Sequence, residues 1–228
     1  MEEFRCGDCG ATIVGAAVAL VVIRLAFVTL CSGRPLGAAP QHVKTLIILG
    51  SGGHTAEMLS IVNVLHKDRF VPRFYIAAAT DSMSLQKARV LEESLIAKGK
   101  ISNRKVEEVA RFAQIYRSRE VGQSYLTSIG TTLLATLHAL WLMLKIRPQV
   151  IVCNGPGTCI PLCLVAFFLK VAGFKWSFIF YIESIARVRK LSLSGLLLYK
   201  FHLADQFYVQ WPQLQKKYPR AHFVGCLM

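Results

Sequence analysis

Two short stretches have the composition of an anion-binding turn. Gly50-Ser51-Gly52-Gly53-His54-Thr55 and Asn154-Gly155-Pro156-Gly157-Thr158 each stand between an apolar run and a helix-like segment. Glycine permits the close backbone approach that lets N–H groups converge on a phosphate, and a following helix adds the positive end of its dipole. Ser51, Gly52, Gly53 and Thr55, with Asn154, Gly155, Gly157 and Thr158, are therefore candidate contacts for a ligand carrying two phosphates. Gly53 and Gly157 are expected to be the positions where a side chain does most harm, through blocked approach and disfavoured positive φ. Any tight strand-to-helix connection needs glycine too, so the turns alone do not decide. His54 sharpens the reading, because an imidazole at a helix start inside such a loop can donate to phosphate or accept a proton. Glu183, in Tyr181-Ile182-Glu183-Ser184, brings a carboxylate after a third apolar run. It can orient a sugar hydroxyl or act as a base; its structural alternatives are capping the turn from Ser184 to Arg187 or pairing with Arg187.

Neither glycine stretch has GxGxxG or GxxxxGK[ST] spacing, which removes most support for a dinucleotide or P-loop site. The pattern calls for no metal and no cofactor. Seven cysteines, an odd number, point to a reducing compartment. Cys153, Cys159 and Cys163 lie in apolar segments, where a thiol behaves as a small hydrophobe. Cys6 and Cys9 have CxxC spacing, but with no second pair nearby they read as two thiols in a short tail. The 27 Lys and Arg against 13 Asp and Glu give a net charge of +14, so the surface attracts phosphates, acidic lipid or nucleic acid. Nucleic acid is disfavoured, because the chain has no zinc-finger spacing, arginine-rich run or RNP-type strand.

The elements that must position these residues alternate. Thr45 to Gly50 is a continuous apolar run, as a parallel strand covered on both faces should be. A helix is expected from about Thr55 to His66, a strand over Arg73 to Thr80, a helix over Ser82 to Lys98, and a weaker strand near Val106 to Ala110. The long segment from Ser124 to Lys145 reads as an amphipathic helix of the domain, its Ser and Thr residues recurring at helical spacing. Strands at Gln149 to Asn154, Trp176 to Glu183 and Gln206 to Trp211 then alternate with helices at Thr158 to Ala172 and Leu191 to His202. Such a series specifies βαβ units on a mostly parallel sheet. Lys98 to Arg119, rich in charge, reads as a solvated connection.

Ahead of this domain, Ala11 to Leu30 is about twenty residues interrupted by the single charge Arg24, enough to cross a bilayer core of about 30 Å. Arg24 lies near its C-terminal end, where its stem can snorkel toward head groups. Glu2, Glu3 and Asp8 precede the segment, which argues against a signal peptide; Arg34, His42 and Lys44 follow it, which by the positive-inside rule places the body in the cytosol and the N-terminus in the lumen. The expected division is a lumenal N-terminus over 1–10, an anchor over 11–30, a linker over 31–42 and a Rossmann-like domain over 43–228. The helical segment after Ser124 and the apolar run from Ile160 to Val171 can also rest on a membrane surface.

LGSGGHTAEML, RSREVGQS, VCNGPGTCIPLC, YIES and DQFYVQWPQLQKKYP together resemble the membrane-anchoring subunit of the UDP-N-acetylglucosamine transferase of asparagine-linked glycosylation, from about Val43 onward. That family resembles in turn the N-terminal, acceptor-binding half of the bacterial lipid-linked N-acetylglucosaminyltransferase, a GT-B enzyme. The resemblance implies a Rossmann-like half of a GT-B fold behind one transmembrane helix. It implies binding of dolichyl-pyrophosphate-GlcNAc and recruitment of a separate catalytic subunit that holds UDP-GlcNAc, at the endoplasmic reticulum membrane, for addition of the second GlcNAc. Gly52, Gly53 and His54 correspond to the bacterial first glycine loop, Gly155 and Gly157 to the second, and Glu183 to a carboxylate after a following strand. The first loop departs from the bacterial pattern in reading SGGH, and no HEQN string surrounds Glu183. The competing classes are a membrane scaffold with vestigial loops and a self-sufficient small nucleotide-binding enzyme.

Overall fold

Along the first strand, Leu46 and Ile48 turn to one apolar cluster while Ile47 and Leu49 turn to another. A strand apolar on both faces needs a helical layer on each, and the chain supplies both. The computed structural model describes residues 6–33, 41–98, 106–117, 125–155 and 157–227. In chain order the elements are α1 (Cys6–Cys31), β1 (Thr45–Ile48), α2 (Gly53–Val64), β2 (Arg73–Ala78), α3 (Ser82–Ala97), α4 (Val106–Val109), β3 (Ala110–Ile115), α5 (Tyr125–Ile146), β4 (Val150–Cys153), α6 (Cys159–Val171), β5 (Phe178–Ile182), α7 (Leu193–Lys200), β6 (Gln206–Val209), α8 (Pro212–Lys217) and β7 (His222–Phe223).

The seven strands form one sheet in the order β3-β2-β1-β4-β5-β6-β7, every pairing parallel. The chain moves outward from β1 to β3, then returns to lay β4 against the other side of β1. This reversal is the topological switch point of a doubly wound sheet, the place where the carboxyl ends of neighbouring strands open into a crevice. Residues of α5, α6 and α7 join the cluster on one face, and residues of α2 and α3 join the cluster on the other.

The expected elements all form, with shifted bounds. The weak strand near Val106 to Ala110 is instead the turn α4 followed by β3. Arg73 on neighbouring β2 pairs with Ala110 and Ala78 with Ile115, so register along β2 rather than local propensity places β3. The solvated connection is thus partly a sheet strand. The short elements α8 and β7, absent from the sequence reading, close the sheet beyond β6. Arg34, the Pro40 linker, the Ser118–Ser124 part of RSREVGQS and Pro156 lie outside the described residues, as do the side chains of Cys6 and Cys9.

Two helices, α1 and α5, are long and apolar enough to cross a membrane by length and composition. From Thr12 to Ile23 the α1 residues are exposed and Arg24 is half-buried, while Val28 and Cys31 pack into the body. Arg24 does not reach outward in the way expected of a snorkelling side chain. Its guanidinium donates to the carbonyls of Val171 and Lys170, each at 3.1 Å, at the C-terminal end of α6, where the Lys170 carbonyl also accepts from the Gly173 N–H. Phe27 meets Trp176 edge-on at 6.1 Å. The last turns of the anchor segment therefore belong to the folded body.

Helix α5 also differs from the amphipathic pattern expected of it. Small and apolar residues, Ala135, Ala139, Leu142, Met143 and Ile146, face inward, yet Leu133, Leu137, Leu140, Trp141 and Leu144 are exposed. The Ser and Thr spacing had suggested a polar outer face. Burial is decided by which side lets α5 approach α6 closely, and the two alanines provide that side.

Candidate functional site

Because β1 and β4 are adjacent, the two glycine turns that follow them lie side by side. They line a cavity of about 260 Å³ together with Leu49, Gly50, Ser51, His54, Ala78, Asp81, Arg117, Gly155, Gly157 and Thr158. The tertiary fold thus brings together His54, Ser51, Gly155, Gly157 and Thr158 from the sequence-derived set. Asp81 and Arg117, at the ends of the turns after β2 and β3, complete the lining and were not singled out from sequence. Arg117 supplies the positive charge expected of an anion site; RSREVGQS carried it in the resemblance, but nothing in its spacing marked it.

The two helix starts at the cavity are left open. Gly52 before α2 and Thr158 before α6 make no side-chain cap. By contrast, Asp81 caps α3 by accepting from the Ser84 N–H, and Ser192 caps α7 by accepting from the Gly195 N–H. Uncapped N–H groups carry the partial positive charge that a phosphate neutralises. The Thr158 hydroxyl is buried without a hydrogen-bond partner, a state that costs about 1–3 kcal/mol unless a ligand or water relieves it. An open helix start and an unpaired hydroxyl therefore face the same space.

The glycine roles fall differently from expectation. Positive φ occurs at Gly52 (61°) and Gly155 (62°), whereas Gly53 and Gly157 have no positive φ and open space around a built side chain. A Cβ on Gly155 would stand 3.0 Å from His54 Cε1. Gly52 and Gly155 are thus the positions that need glycine. The turn geometry puts the left-handed residue one step before helix α2 and at the start of the second loop, which a run of glycines in sequence does not reveal.

Several sequence candidates hold the loops rather than face the cavity. The Thr55 hydroxyl donates to the Gly50 carbonyl and sits against the Ser84 hydroxyl, so it fixes the first turn from behind. Asn154 is buried; its amide oxygen lies 3.0 Å from His54 Nδ1 and its amide nitrogen donates to Glu57 at 2.6 Å. Glu57 also accepts from the Ser184 hydroxyl at 2.8 Å. Glu57 and Ser184 were not sequence candidates, although Glu57 follows His54 by three residues and so stands one helical turn away.

Glu183 does not line the cavity. It is fully buried, and its carboxylate accepts from the Ser192 N–H at 3.0 Å, the Ser192 hydroxyl at 3.1 Å and the Ser184 N–H at 3.2 Å. It therefore holds the serine that caps α7 and the first N–H of the Ser184 to Arg187 turn, and among the described residues it forms no salt bridge with Arg187. Burial raises its pKa, against the donors of Ser192 and Ser184 and the charge of Arg187, which favour the ionised form. The last motif is likewise structural: Gln210 donates to the Glu183 carbonyl at 3.1 Å, and the Trp211 indole donates to the Ile185 carbonyl at 2.6 Å.

Among the described residues, the group with donor atoms close enough to hold a metal ion is Cys153, Cys159 and Cys163, whose sulfur atoms lie within 4.8 Å of one another. All three are buried in the core beneath the second loop and belong to an apolar cluster, as the sequence reading of small hydrophobes implies.

The comparisons agree with this architecture. The family model described as "Oligosaccharide biosynthesis protein Alg14 like" matches residues 45–227. The UDP-N-acetylglucosamine transferase subunit ALG14 of Yarrowia lipolytica is 42% identical over 216 residues, 93% of this chain and 95% of its own. Its counterpart in Mus musculus is 43% identical over 194 residues, 82% of this chain and 86% of its own, and that of Homo sapiens is 37% identical over 220 residues, 94% and 95%. The crystal structure of MurG from Acinetobacter baumannii matches with a TM-score of 0.52 at 17% identity, covering 80% of this chain and 45% of that chain. That likeness shows the fold, a Rossmann-like sheet spanning somewhat under half of a GT-B chain. With the family model covering most of its length and relatives near 40% identity, the chain belongs to the Alg14-like family of oligosaccharide biosynthesis proteins.

Proposed function

We propose that this chain is the membrane-anchored, acceptor-binding subunit of a UDP-N-acetylglucosamine transferase. It binds dolichyl-pyrophosphate-GlcNAc in the cavity between the two glycine loops and recruits a separate subunit that holds UDP-GlcNAc. The observation that carries the reading is the pair of uncapped helix starts, α2 and α6, beside the unpaired Thr158 hydroxyl, Arg117 and His54. Two loops suit two phosphates. The names of the relatives, each a transferase subunit, support the division of labour.

In this reading the domain over 43–228 faces the cytosol, α1 anchors it in the endoplasmic reticulum membrane, and the short N-terminus is lumenal. The apolar outer face of α5 rests against the same bilayer. Ser51, Gly52, Gly155, Gly157 and Thr158, with Arg117, hold the pyrophosphate; Gly53, Thr55 and Asn154 shape the loops from behind. His54 accepts the proton of the acceptor sugar hydroxyl as its oxygen bonds to the anomeric carbon of the donor. The bond from that carbon to the diphosphate breaks, and UDP leaves with the electron pair. Glu183 enters as the carboxylate that fixes the β5–α7 connection next to the site.

The test is an assay of the purified chain, alone and with the donor-binding subunit, on UDP-GlcNAc and a lipid-pyrophosphate-GlcNAc acceptor. Turnover is expected from the pair and none from the chain alone. Appreciable transfer by the isolated chain would overturn the division of labour.

A further inference from the structure

His54 has two ring nitrogens, and a neutral imidazole carries its proton on one of them. In solution the side chain favours Nε2–H, which would leave Nδ1 as the acceptor. The residues behind the first glycine loop impose the other choice, through a chain of hydrogen bonds whose polarity is fixed at its far end.

Glu57 is 5% exposed and its two carboxylate oxygens each accept one hydrogen bond. One oxygen takes the Ser184 hydroxyl proton at 2.8 Å; that hydroxyl in turn accepts from the Ala186 N–H at 3.3 Å, so its own proton is directed to Glu57. The other oxygen lies 2.6 Å from the Asn154 amide group. An ionised carboxylate only accepts, so Asn154 must present its NH₂ side to Glu57. Its carbonyl oxygen is then turned toward His54 Nδ1, 3.0 Å away. A carbonyl also only accepts, and Nδ1 must therefore carry the proton. Nε2 is left with its lone pair free and has no protein partner among the described residues.

We infer that Glu57 is a positioning residue that sets the tautomer of His54 through Asn154, so that Nε2 is the basic nitrogen at the cavity, with Ser184 holding the far end of the relay. This rests on the proposal that His54 takes a proton during transfer. It accounts for three features at once: a buried carboxylate with no cationic partner among the described residues, a buried asparagine at the end of β4, and a serine at the end of β5 tied to α2. Selecting the tautomer and aiming the ring is the role a buried carboxylate plays behind a catalytic histidine elsewhere, here exerted through an intervening amide. Gly155 fits the same scheme, since a Cβ there would press on the imidazole at 3.0 Å.

The direct measurement is nitrogen NMR of the full chain, ¹⁵N-labelled at histidine, in detergent micelles. The His54 resonances are assigned by their loss in His54→Gln, and the spectra are recorded where the ring is neutral. The expected pattern is a protonated Nδ1 and an unprotonated Nε2. Glu57→Gln replaces one of the two acceptor oxygens by an NH₂ donor, so that the Asn154 amide is no longer held one way round, and should move His54 toward a tautomer mixture. Asn154→Leu, which ends the relay while keeping approximate volume, should restore the solution preference for Nε2–H. With the donor-binding subunit added, both variants should lower kcat by about 10- to 10³-fold while the KM for acceptor stays within about twofold, because orientation of the base rather than phosphate contact is lost.

A wild-type spectrum with Nε2–H, or a His54 signature unchanged in both variants, would overturn the inference. If the NMR pattern holds but His54→Ala leaves turnover intact, the relay stands and the proposed role of His54 in transfer falls. If neither single variant folds, Ser184→Ala, which loosens only the outer end, reads the same equilibrium: a partial shift supports the relay, and no shift counts against it.

Discussion

The two edges of the sheet treat buried polarity in opposite ways. At the amino edge, charges are committed to each other. Lys170 meets Asp205 at 2.6 Å, and the same carboxylate accepts the Ile179 N–H at 2.8 Å. Arg73, at the start of β2, meets Glu92 at 2.6 Å and donates to the carbonyls of Lys67 and Phe70. Arg24 fills the last carbonyls of α6. At the carboxyl edge, among the described residues, no ion pair forms; the starts of α2, α6 and α8 lack side-chain caps, and the Thr158 hydroxyl and His54 Nε2 have no partner. The backbone ends differ as well, with helix C-terminal carbonyls at the amino edge and helix N-terminal N–H groups at the carboxyl edge. An unpaired buried donor also occurs at the amino edge, where Trp176 Nε1 lacks a hydrogen-bond partner; what marks the carboxyl edge is that the Thr158 hydroxyl, His54 and two open helix starts meet at one cavity, where a ligand can complete them.

The largest effect expected from breaking the comparison is at the open edge. His54→Ala should reduce turnover of the reconstituted complex by about 10²- to 10⁴-fold if the imidazole is the base. The thermal melting of the chain should move little, because His54 is only half-buried and the substitution removes one hydrogen bond, to Asn154, worth about 0.5–1.5 kcal/mol. Circular dichroism melts and a saturating-acceptor assay separate the two readings; a fall in melting temperature that accounts for the lost activity would erase the contrast between edges.

At the closed edge the opposite is expected. Lys170→Met leaves Asp205 buried without its cation and should destabilise the domain by about 3–5 kcal/mol. Per folded molecule, turnover should be retained. Denaturant unfolding with activity normalised to the folded fraction checks both halves, and a loss of specific activity would show that the closed edge also serves the reaction.

The glycines give a finer comparison within the open edge. Gly155→Ala puts a side chain at φ 62° and 3.0 Å from His54, so strain of about 1–3 kcal/mol and a displaced imidazole are expected. Gly157→Ala meets open space at an ordinary φ and should fold normally. Equal loss of turnover in both variants would mean that the ligand itself occupies the space beside Gly157. The smallest effect is expected from Thr158→Val, which deletes the unpaired hydroxyl. Stability should stay level or rise slightly, while KM for acceptor should increase by about 2- to 12-fold, the weight of one hydrogen bond of about 0.5–1.5 kcal/mol. An unchanged KM would remove Thr158 from the ligand contacts.

The sequence by itself determined the element series apart from α4, α8 and β7, because continuous apolar runs and period-3.6 patterns separated by glycine turns are local properties of the chain. It also determined that two glycine stretches and His54 stand at strand-to-helix junctions, and it carried the family resemblance. It did not distinguish Gly52 from Gly53, since which glycine adopts positive φ depends on how the turn closes. It placed Glu183 among the reactive candidates, although the direction of its carboxylate, toward Ser192, is set by where α7 returns to the sheet. It read Arg24 as snorkelling toward head groups, although the end of α6 gives that guanidinium two carbonyls to bind. Only the tertiary structure put β4 beside β1 and so joined residues a hundred positions apart, His54 and Asn154, into one hydrogen bond. The physical reason is range: helices, strands and turns answer to neighbours within a few residues, whereas the partners of a buried polar atom are chosen by whatever chain the sheet topology delivers to it.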